Sequence, residues 1–574
     1  MWIFNNALSC ILLSASVNVW CNTPLAEVQP FVFGAGDEIN EDFVPLAGVS
    51  EAIGETSIPM IRMGGIANEY YDWEGNNYNG TFYLDFADTL IIAGNCQTSL
   101  DDFLGICEEN GIEPVLSVNF QINDSEKASR LVEYCNGHQN TPMGQIRAQR
   151  GHPAPYNVIY WQIGNEPDIS GLLLEIEEYD LTLYRHFGIP FDQWHHSDSV
   201  FATADQYAQL ADSYADAMRN ASPVPLAIAT ISLSDDLEWM QETLEVCQGN
   251  TDWVDIHYYP AGTWENTPPD TTDYIDWLAS ADSGPKAFDS WYQEMTDLVT
   301  LFNGGVPLPV CIMEYNILVS YSDLTWWNYI DGLFIADCAC HLAENGTPMG
   351  GVYSVFEGSS TDPGTSFGMI RGDTLSVRAT GNVMQLLNQQ MYGTMVFSES
   401  DASGGGYGLD VHSALRPDGK LAVLLVNKHL TESFETEIYL HSYCSSGYAQ
   451  VWSIENDAPM EAPHNGTTGV QFKGNLWGAS DSFTITVPAA SVTCLVIHPE
   501  GSGIEPEQYG FKMIASPVPA FGPIQVQLNL EKAGTVSMNL LDISGRVVLS
   551  LSEIHFPQGE SSINLDSEGI PEGI

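Results

Sequence analysis

Between about residue 30 and residue 385, short runs of near-continuous apolar residues alternate with stretches of helical period, and this rhythm limits the fold more than any other feature of the chain. Leu100, Phe103, Leu104 and Cys107 stand at i, i+3, i+4 and i+7, Gly111 is placed to end that helix, and Pro114 to Val118 reads as a buried strand. The pattern recurs with Tyr207, Leu210, Ala211, Tyr214 and Met218 before the run Leu226 to Ala229. It returns with Phe288, Trp291, Tyr292, Met295 and Val299 before Val310 to Met313, with Gly304 and Gly305 where a C-cap belongs. Strands that are apolar throughout, and not alternating, have both sheet faces covered, as in a parallel sheet wrapped by helices. Eight such units fit a (β/α)8 TIM barrel over residues 24–385.

From residue 386 the helical period stops, and Leu421 to Val426 after the turn pair Asp418-Gly419 reads as part of a hairpin. The expected fold class is therefore α/β, a TIM barrel followed by an all-β sandwich over residues 386–498 and a small C-terminal β module over residues 509–574. The two β units are joined by a linker at 499–508 that contains Gly501, Ser502 and Gly503. A chain of 574 residues is long enough for such a set of domains.

With 75 acidic and 17 basic residues the formal charge is -58, which repels phosphate backbones and anionic head groups, so no nucleic-acid partner is expected. No later run reaches the roughly 18 to 20 apolar residues of a spanning helix, so no integral membrane segment is expected either. Residues 1–21 carry the apolar run Ala7 to Leu13 followed by Ser14-Ala15-Ser16, the make-up of a signal peptide, without its usual charged n-region. Of 11 cysteines, Cys10 and Cys21 fall in that segment, and the remaining nine are expected as scattered buried thiols or one or two disulfides, with at least one thiol unpaired.

Val158 to Ile163 is a strand that runs out into Gly164-Asn165-Glu166-Pro167, and Val310 to Met313 runs out into Glu314-Tyr315-Asn316. A carboxylate at the C-terminal mouth of a barrel strand reads as catalytic, since the site is built there. The two glutamates are 148 residues apart, the spacing expected for strands 4 and 7 of such a barrel. Cleavage of a glycosidic bond with retention uses a carboxyl pair about 5 to 5.5 Å apart, one protonated and one ionised. Glu166 is assigned as acid and then base, and Glu314 as nucleophile. Asn165 is placed to bind a sugar hydroxyl, and His257 and Tyr259 share one face of Val254 to Tyr259, with Tyr259 able to donate to Glu314. Arg62 is a further rim candidate, because a fixed cation beside a carboxylate favours its ionisation.

Taken singly, each feature has a plainer reading: a helix cap at Asn165-Glu166-Pro167, a core histidine at His257, a structural ion pair at Arg62. Trp73 and Trp161 are sugar platforms or core aromatics. His195-His196 lacks a spaced partner, so no metal is expected, and two carboxyl groups need no cofactor. Joint placement at strand ends, in order, is what favours the chemistry.

The segments Ala128 to Asn136, Ile146-Arg147-Ala148, Gly151 to Val158, Tyr160-Trp161 and Gly164-Asn165-Glu166 resemble the α-L-arabinofuranosidases of glycoside hydrolase family 51. Val118-Asn119 resembles that family's third strand, Arg62 with Gly64-Gly65 its second, and His257 with Tyr259 its sixth. The resemblance implies a retaining enzyme acting on terminal arabinofuranosyl groups of an arabinose-containing plant polysaccharide or oligosaccharide, with Asn119 and Trp161 among the substrate contacts. Two departures stand out: Met313-Glu314-Tyr315-Asn316 replaces the usual Asp-Glu-Trp and is closer to family 44 endoglucanases, and Arg62 to Asn68 lacks a Pro-Gly-Gly-Asn run. An endo-β-glucanase or β-xylosidase, and a degenerate barrel that binds glycans without cleaving them, therefore stay open.

Residues 509–574, with Ser516 to Pro519, Gly522, Asp542 to Arg546 and Gly573, resemble the sorting domain of the type IX secretion system. That resemblance implies a bacterial protein that is secreted or held at the cell surface and that meets the secretion machinery through this module, whose last strand is expected to be cut short.

Overall fold

The computed structural model describes residues 12–37, 48–65, 68, 71–84, 88–95, 98–120, 124–170, 203–233, 236–260, 271–284, 286–317, 328–356, 367–372, 374–456, 469–500, 511–516, 524–530, 534–541 and 547–565. Its centre is a closed parallel barrel. In chain order the strands are Phe31–Asp37, Met60–Met63, Glu113–Val118, Tyr160–Ile163, the pair Ala227–Ala229 and Ser232–Leu233, then Val254–Ile256, Val310–Tyr315 and Met349–Tyr353. Each pairs in parallel with the next, and Met349–Tyr353 closes on Phe31–Asp37 through Val352 opposite Ala35.

Local sequence explains why the helices begin and end where they do. Ser99 caps Leu100–Asn110 in a reciprocal capping box with Asp102, and Gly111 ends it at φ 68, where a side chain would be strained. Thr203 and Gln206 do the same for Ala204–Ala221, whose buried stripe is Tyr207, Ala211, Tyr214 and Met218. Gly304 and Gly305, at φ 66 and 84, turn the chain after Phe288–Phe302. Small residues let the barrel strands close: a Cβ on Gly34 would press on Met60 and on the carbonyl of Gly350.

The second body is a nine-stranded sheet that wraps around its own core, in the order Gln471–Ala479, Ser445–Glu455, Ser491–Pro499, Leu421–Asn427, Leu409–Leu415, Thr394–Ser400, Leu12–Glu27, Ser433–His441, Ser482–Val487. One expectation is corrected here. Leu12–Glu27 spans the leader's proposed cleavage site, yet it lies between Thr394–Ser400 and Ser433–His441, with Ala15, Val17 and Val19 in the core beside Leu425 and Ile438. Its alternation of buried and outward residues is the period of a strand with one face packed, which a short apolar run conceals when its partners are some 400 residues away. Residues 1–11 lie outside the described residues. Cys21 belongs to this strand, and the nine described cysteines are all unpaired thiols.

A third unit holds Phe511–Ser516, Ile524–Leu530 and Gly559–Leu565 in one sheet and Gly534–Leu541 with Val547–Phe556 in a hairpin, around Val526, Leu528, Leu530 and Phe556. The motif residues Asp542 to Arg546 and Gly573 lie outside the described residues.

Barrel and sheet are joined by an ionic cluster centred on the buried Lys428 and Asp337. Lys428 has no exposed side-chain surface and binds Asp282 at 2.5 Å, Asp337 at 2.6 Å and Asp410 at 3.0 Å. His412 binds Asp337 and Glu344, and His341 binds Asp282 and Asp289. Burial alone would discharge His412, but Glu344 and Asp337 outweigh it and raise its pKa to about 10. Burial raises Asp410 to about 6 despite Lys428, while Lys428 and the two histidines hold Asp337 far below its usual range.

The signs follow from linkage. His412, raised above the ordinary 6.5, contributes stability that is complete below that pH and is lost as pH rises through about 10. Asp337, depressed, contributes stability above the ordinary 3.8 that is lost on acidification. Thermal melts are expected to show the midpoint falling between pH 7 and pH 10, with the fall reduced in His412→Gln. Lys428→Met leaves buried carboxylates without their cation and is expected to cost about 3–5 kcal/mol in denaturant melts at pH 7.

Candidate active site

The fourth barrel strand ends at Ile163, and the chain then coils through Gly164 at φ 77 to Glu166 at φ 43. Left-handed backbone is unfavourable by about 1–2 kcal/mol at a residue with a side chain, so the position is imposed by its surroundings. The N–H of Glu166 donates to the carbonyl of Ser232 at 2.8 Å, which pins it to the fifth strand. Glu314 lies within the seventh strand, Val310–Tyr315, and its carbonyl accepts from the N–H of Tyr258 at 2.9 Å.

These placements bring Glu166, Glu314 and His257 together, with one ligand atom of each within 4.8 Å of the others. The two carboxylates retain 7% and 6% exposure, so both reach the solvent side of the barrel mouth. Beneath them the polar groups are sealed. Arg62, from the second strand, is fully buried and spreads its guanidinium over four partners: Nη1 to Glu314 Oε1 at 2.6 Å, Nη2 to Asn165 Oδ1 at 2.6 Å and to Ser232 Oγ at 3.3 Å, and Nε to Gln162 Oε1 at 2.5 Å. Gly64 makes room for it, since a Cβ there would collide with the guanidinium. Tyr259, partly exposed, donates its hydroxyl to Glu314 Oε2 at 3.1 Å. His257 stands between the carboxylates, with Nδ1 2.7 Å from Glu166 Oε1 and 3.3 Å from Glu314 Oε2, and Nε2 3.1 Å from Asp255 Oδ2.

Burial disfavours charge on His257, yet Glu314, Asp255 and Glu166 around it raise its pKa well above the usual 6.5. Burial likewise opposes the charge of Asp255, and His257 with Arg62 more than reverses this. Burial raises Tyr259 far above 10, with the nearby Glu314 adding to it, so the phenol stays a donor. Two cations thus face three carboxylates, and the set is neutral when one carboxyl carries a proton.

Several candidates sit differently from their sequence reading. Arg62 has no exposed surface and lies behind Glu314 and Asn165, where it braces both side chains. Trp161 is corrected to a core residue: it is fully buried and its indole N–H donates to the carbonyl of Val158 at 3.1 Å. Trp73 is buried against Tyr134. Asn165 Oδ1 is held by Arg62 and by the N–H of Gly65 at 3.2 Å. Asn119 is half-buried just past the third strand. His195 and His196 lie outside the described residues. Gln162, Ser232 and Asp255 escaped the sequence reading, although polar residues inside otherwise apolar strands were the available signal. Among the described residues, Glu166, His257 and Glu314 are the site's best set for a metal ion, but a charged His257 and Arg62 oppose one there.

Residues 53–276 match the family model described as the alpha-L-arabinofuranosidase 1 domain. A probable alpha-L-arabinofuranosidase C from Aspergillus flavus is 44% identical over 137 residues, covering 24% of this chain and 27% of that protein. The chain thus spans about a quarter of the length of the first curated relatives it matches, at 27%. Among solved structures, a family 51 alpha-L-arabinofuranosidase from Bifidobacterium longum superposes with a TM-score of 0.64 at 18% identity, covering 85% of this chain and 100% of that one. The fold is the one seen in that structure. A family 44 xyloglucanase from Paenibacillus polymyxa also superposes, with a TM-score of 0.56 at 13% identity over 85% of this chain and 100% of that one. The shared architecture is a (β/α)8 barrel with a flanking β domain, and the family match falls on the part of the barrel that supplies Arg62, Asn165, Glu166 and His257.

The guanidinium fork is the most exacting part of this geometry. Arg62→Lys keeps the charge but cannot serve Glu314, Asn165 and Gln162 together, and is expected to destabilise the protein by about 1–3 kcal/mol through unpaired buried acceptors. Equilibrium unfolding in urea measures it, and an unchanged midpoint would contradict the buried fork.

Proposed function

We propose that the protein is a retaining glycoside hydrolase that removes terminal α-L-arabinofuranosyl groups from hemicellulose or pectin, with Glu314 as nucleophile and Glu166 as acid/base. The observation that carries this reading is the pair of carboxylates within 4.8 Å at the ends of barrel strands four and seven, each with different partners. One oxygen of each lying within 4.8 Å of the other suits direct attack by the second carboxylate, with no water between carboxyl group and anomeric carbon.

The partners divide the roles. Glu314 takes Arg62 and Tyr259 on its two oxygens, which compensates a carboxylate that must stay ionised. Glu166 faces His257 through Oε1, and as the acid it carries the proton toward the leaving oxygen. In the first step a Glu314 oxygen bonds to the anomeric carbon as the glycosidic oxygen departs with the proton of Glu166. In the second, Glu166 takes a proton from water, whose oxygen displaces Glu314, and configuration is retained. Asn165, held by Arg62, adjoins the acid where a sugar hydroxyl would lie.

The arabinofuranosyl preference is supported by the family match across residues 53–276. The likeness to the family 44 xyloglucanase and the Met313-Glu314-Tyr315 sequence favour β-glucan or β-xyloside cleavage as the second reading. For the C-terminal unit we keep the sorting reading, supported by its sequence resemblance and its five short strands after the linker, which would place the enzyme and its polysaccharide outside the cell.

Release of aryl alcohol from an aryl α-L-arabinofuranoside and an aryl β-xyloside, and of reducing ends from a soluble glucan, tests the reading. Arabinofuranoside turnover is expected to dominate, and Glu314→Gln to lower it by about 10⁴-fold or more. Glu166→Ala is expected to keep the first step on an activated leaving group and to be rescued by azide with retained configuration. Unchanged turnover in Glu314→Gln would refute the assignment, and glycan binding without any hydrolysis would favour a non-catalytic role.

A further inference from the structure

Asp255 is the point at which the two halves of the site meet. It is fully buried in the sixth strand, in the otherwise apolar run Val254-Asp255-Ile256. Its Oδ1 accepts from the N–H of Met313, the residue before Glu314, at 2.8 Å. Its Oδ2 accepts from Gln162 Nε2 at 2.6 Å and from Ser232 Oγ at 2.9 Å, and lies 3.1 Å from His257 Nε2. Each contact leads toward a carboxylate. Gln162 accepts from Arg62, which binds Glu314. Ser232 holds the backbone of Glu166, and His257 holds its side chain.

A lone buried carboxylate is costly unless its lone pairs are filled, and here four donors converge on it. The arrangement also fixes the imidazole. With Nε2–H aimed at Asp255, the Nδ1–H of the charged ring points at Glu166 and Glu314. The groups facing His257 are Asp255 on its own strand, Glu166 after the fourth and Glu314 on the seventh, with Tyr259 donating to the same Oε2 of Glu314 that faces the ring, Arg62 on the far Oε1, and the uncharged Ser232 on the fifth.

We infer that Asp255 is a positioning residue that sets the spacing of the two glutamates and holds His257 as a permanently charged hydrogen-bond donor to both. No proton leaves His257 in the cycle. It serves as a fixed cation between two acids, and Asp255 as its counter-ion. The kinetic part rests on the glycosidase reading; the charge state of His257 does not.

The test is histidine NMR with ¹³C at the ε1 carbon, the His257 signal being the one absent in His257→Gln. In the wild type this signal is expected to stay at its imidazolium position from pH 5 to pH 8. In the isosteric Asp255→Asn it is expected to titrate inside that window, with kcat/KM on the best glycoside lowered about 100-fold. A wild-type signal that titrates near 6.5 overturns the inference, and this outcome is readable even if Asp255→Asn does not fold. So does an Asp255→Asn protein whose His257 stays charged to pH 8, or one with undiminished kcat/KM. Glu314→Gln, assayed alongside, separates the two readings: if its turnover is undiminished the glycosidase assignment fails, while the NMR arm still decides on Asp255.

Discussion

The architecture depends on keeping two cations and three carboxylates in balance at the top of a closed barrel. Arg62 and Asp255 have no exposed surface, so neither charge has water to stabilise it, and each exists only because the other side of the network supplies its counterpart. Their low-dielectric setting makes each hydrogen bond more exacting, and it transmits position. Glu314 is placed by a guanidinium that also sets Asn165, and Glu166 by an imidazole that also touches Glu314. The left-handed backbone of Glu166 fits this picture, since a residue in an unfavourable conformation needs neighbours that over-determine it.

The same economy of positive charge recurs at the junction of barrel and sheet. A chain with 17 basic residues against 75 acidic ones places Arg62, Arg147, Arg378, Arg416 and Lys428 in buried positions. Lys428 alone takes three aspartates. The surface is left strongly acidic and solvated, which disfavours self-association through like-charge repulsion. Arg62 and Lys428 stand where carboxylates approach one another, at the glutamate pair and at the domain junction, while Arg147 and Arg416 bind carbonyl oxygens.

Much of the barrel was legible because its signals are local. The stripes of Tyr207 and Phe288, the glycines at 111, 304 and 305, and the runs at Val310 and Val254 each report their own element within a dozen residues. Glu166 and Glu314 were legible for the same reason: each ends an apolar run at the barrel mouth. What escaped was non-local. Gln162 and Asp255 are 93 residues apart in sequence, and nothing in either strand announces that they bond. Trp161 was ambiguous because an aromatic side chain at a strand end serves equally as core or as platform, and only the packing of Val158 to Ile163 decides. Leu12–Glu27 was misread outright, since a short apolar run followed by small residues satisfies both a leader and an inner strand.

That strand alters how the two bodies can move. From Leu12 the chain runs through the nine-stranded sheet, passes through the barrel, and returns to the same sheet beside Leu12–Glu27, where Val17 faces Ser400 on one side and Ile438 on the other. The barrel is therefore stitched to its neighbour at two points, Val28 donating to Gly393 where the outgoing and returning segments cross. A single linker would act as a pivot; a double one resists both twist and swing. Rigid-body rocking between barrel and sheet is thereby restrained by the path of the chain itself, in addition to the ionic contacts at their junction.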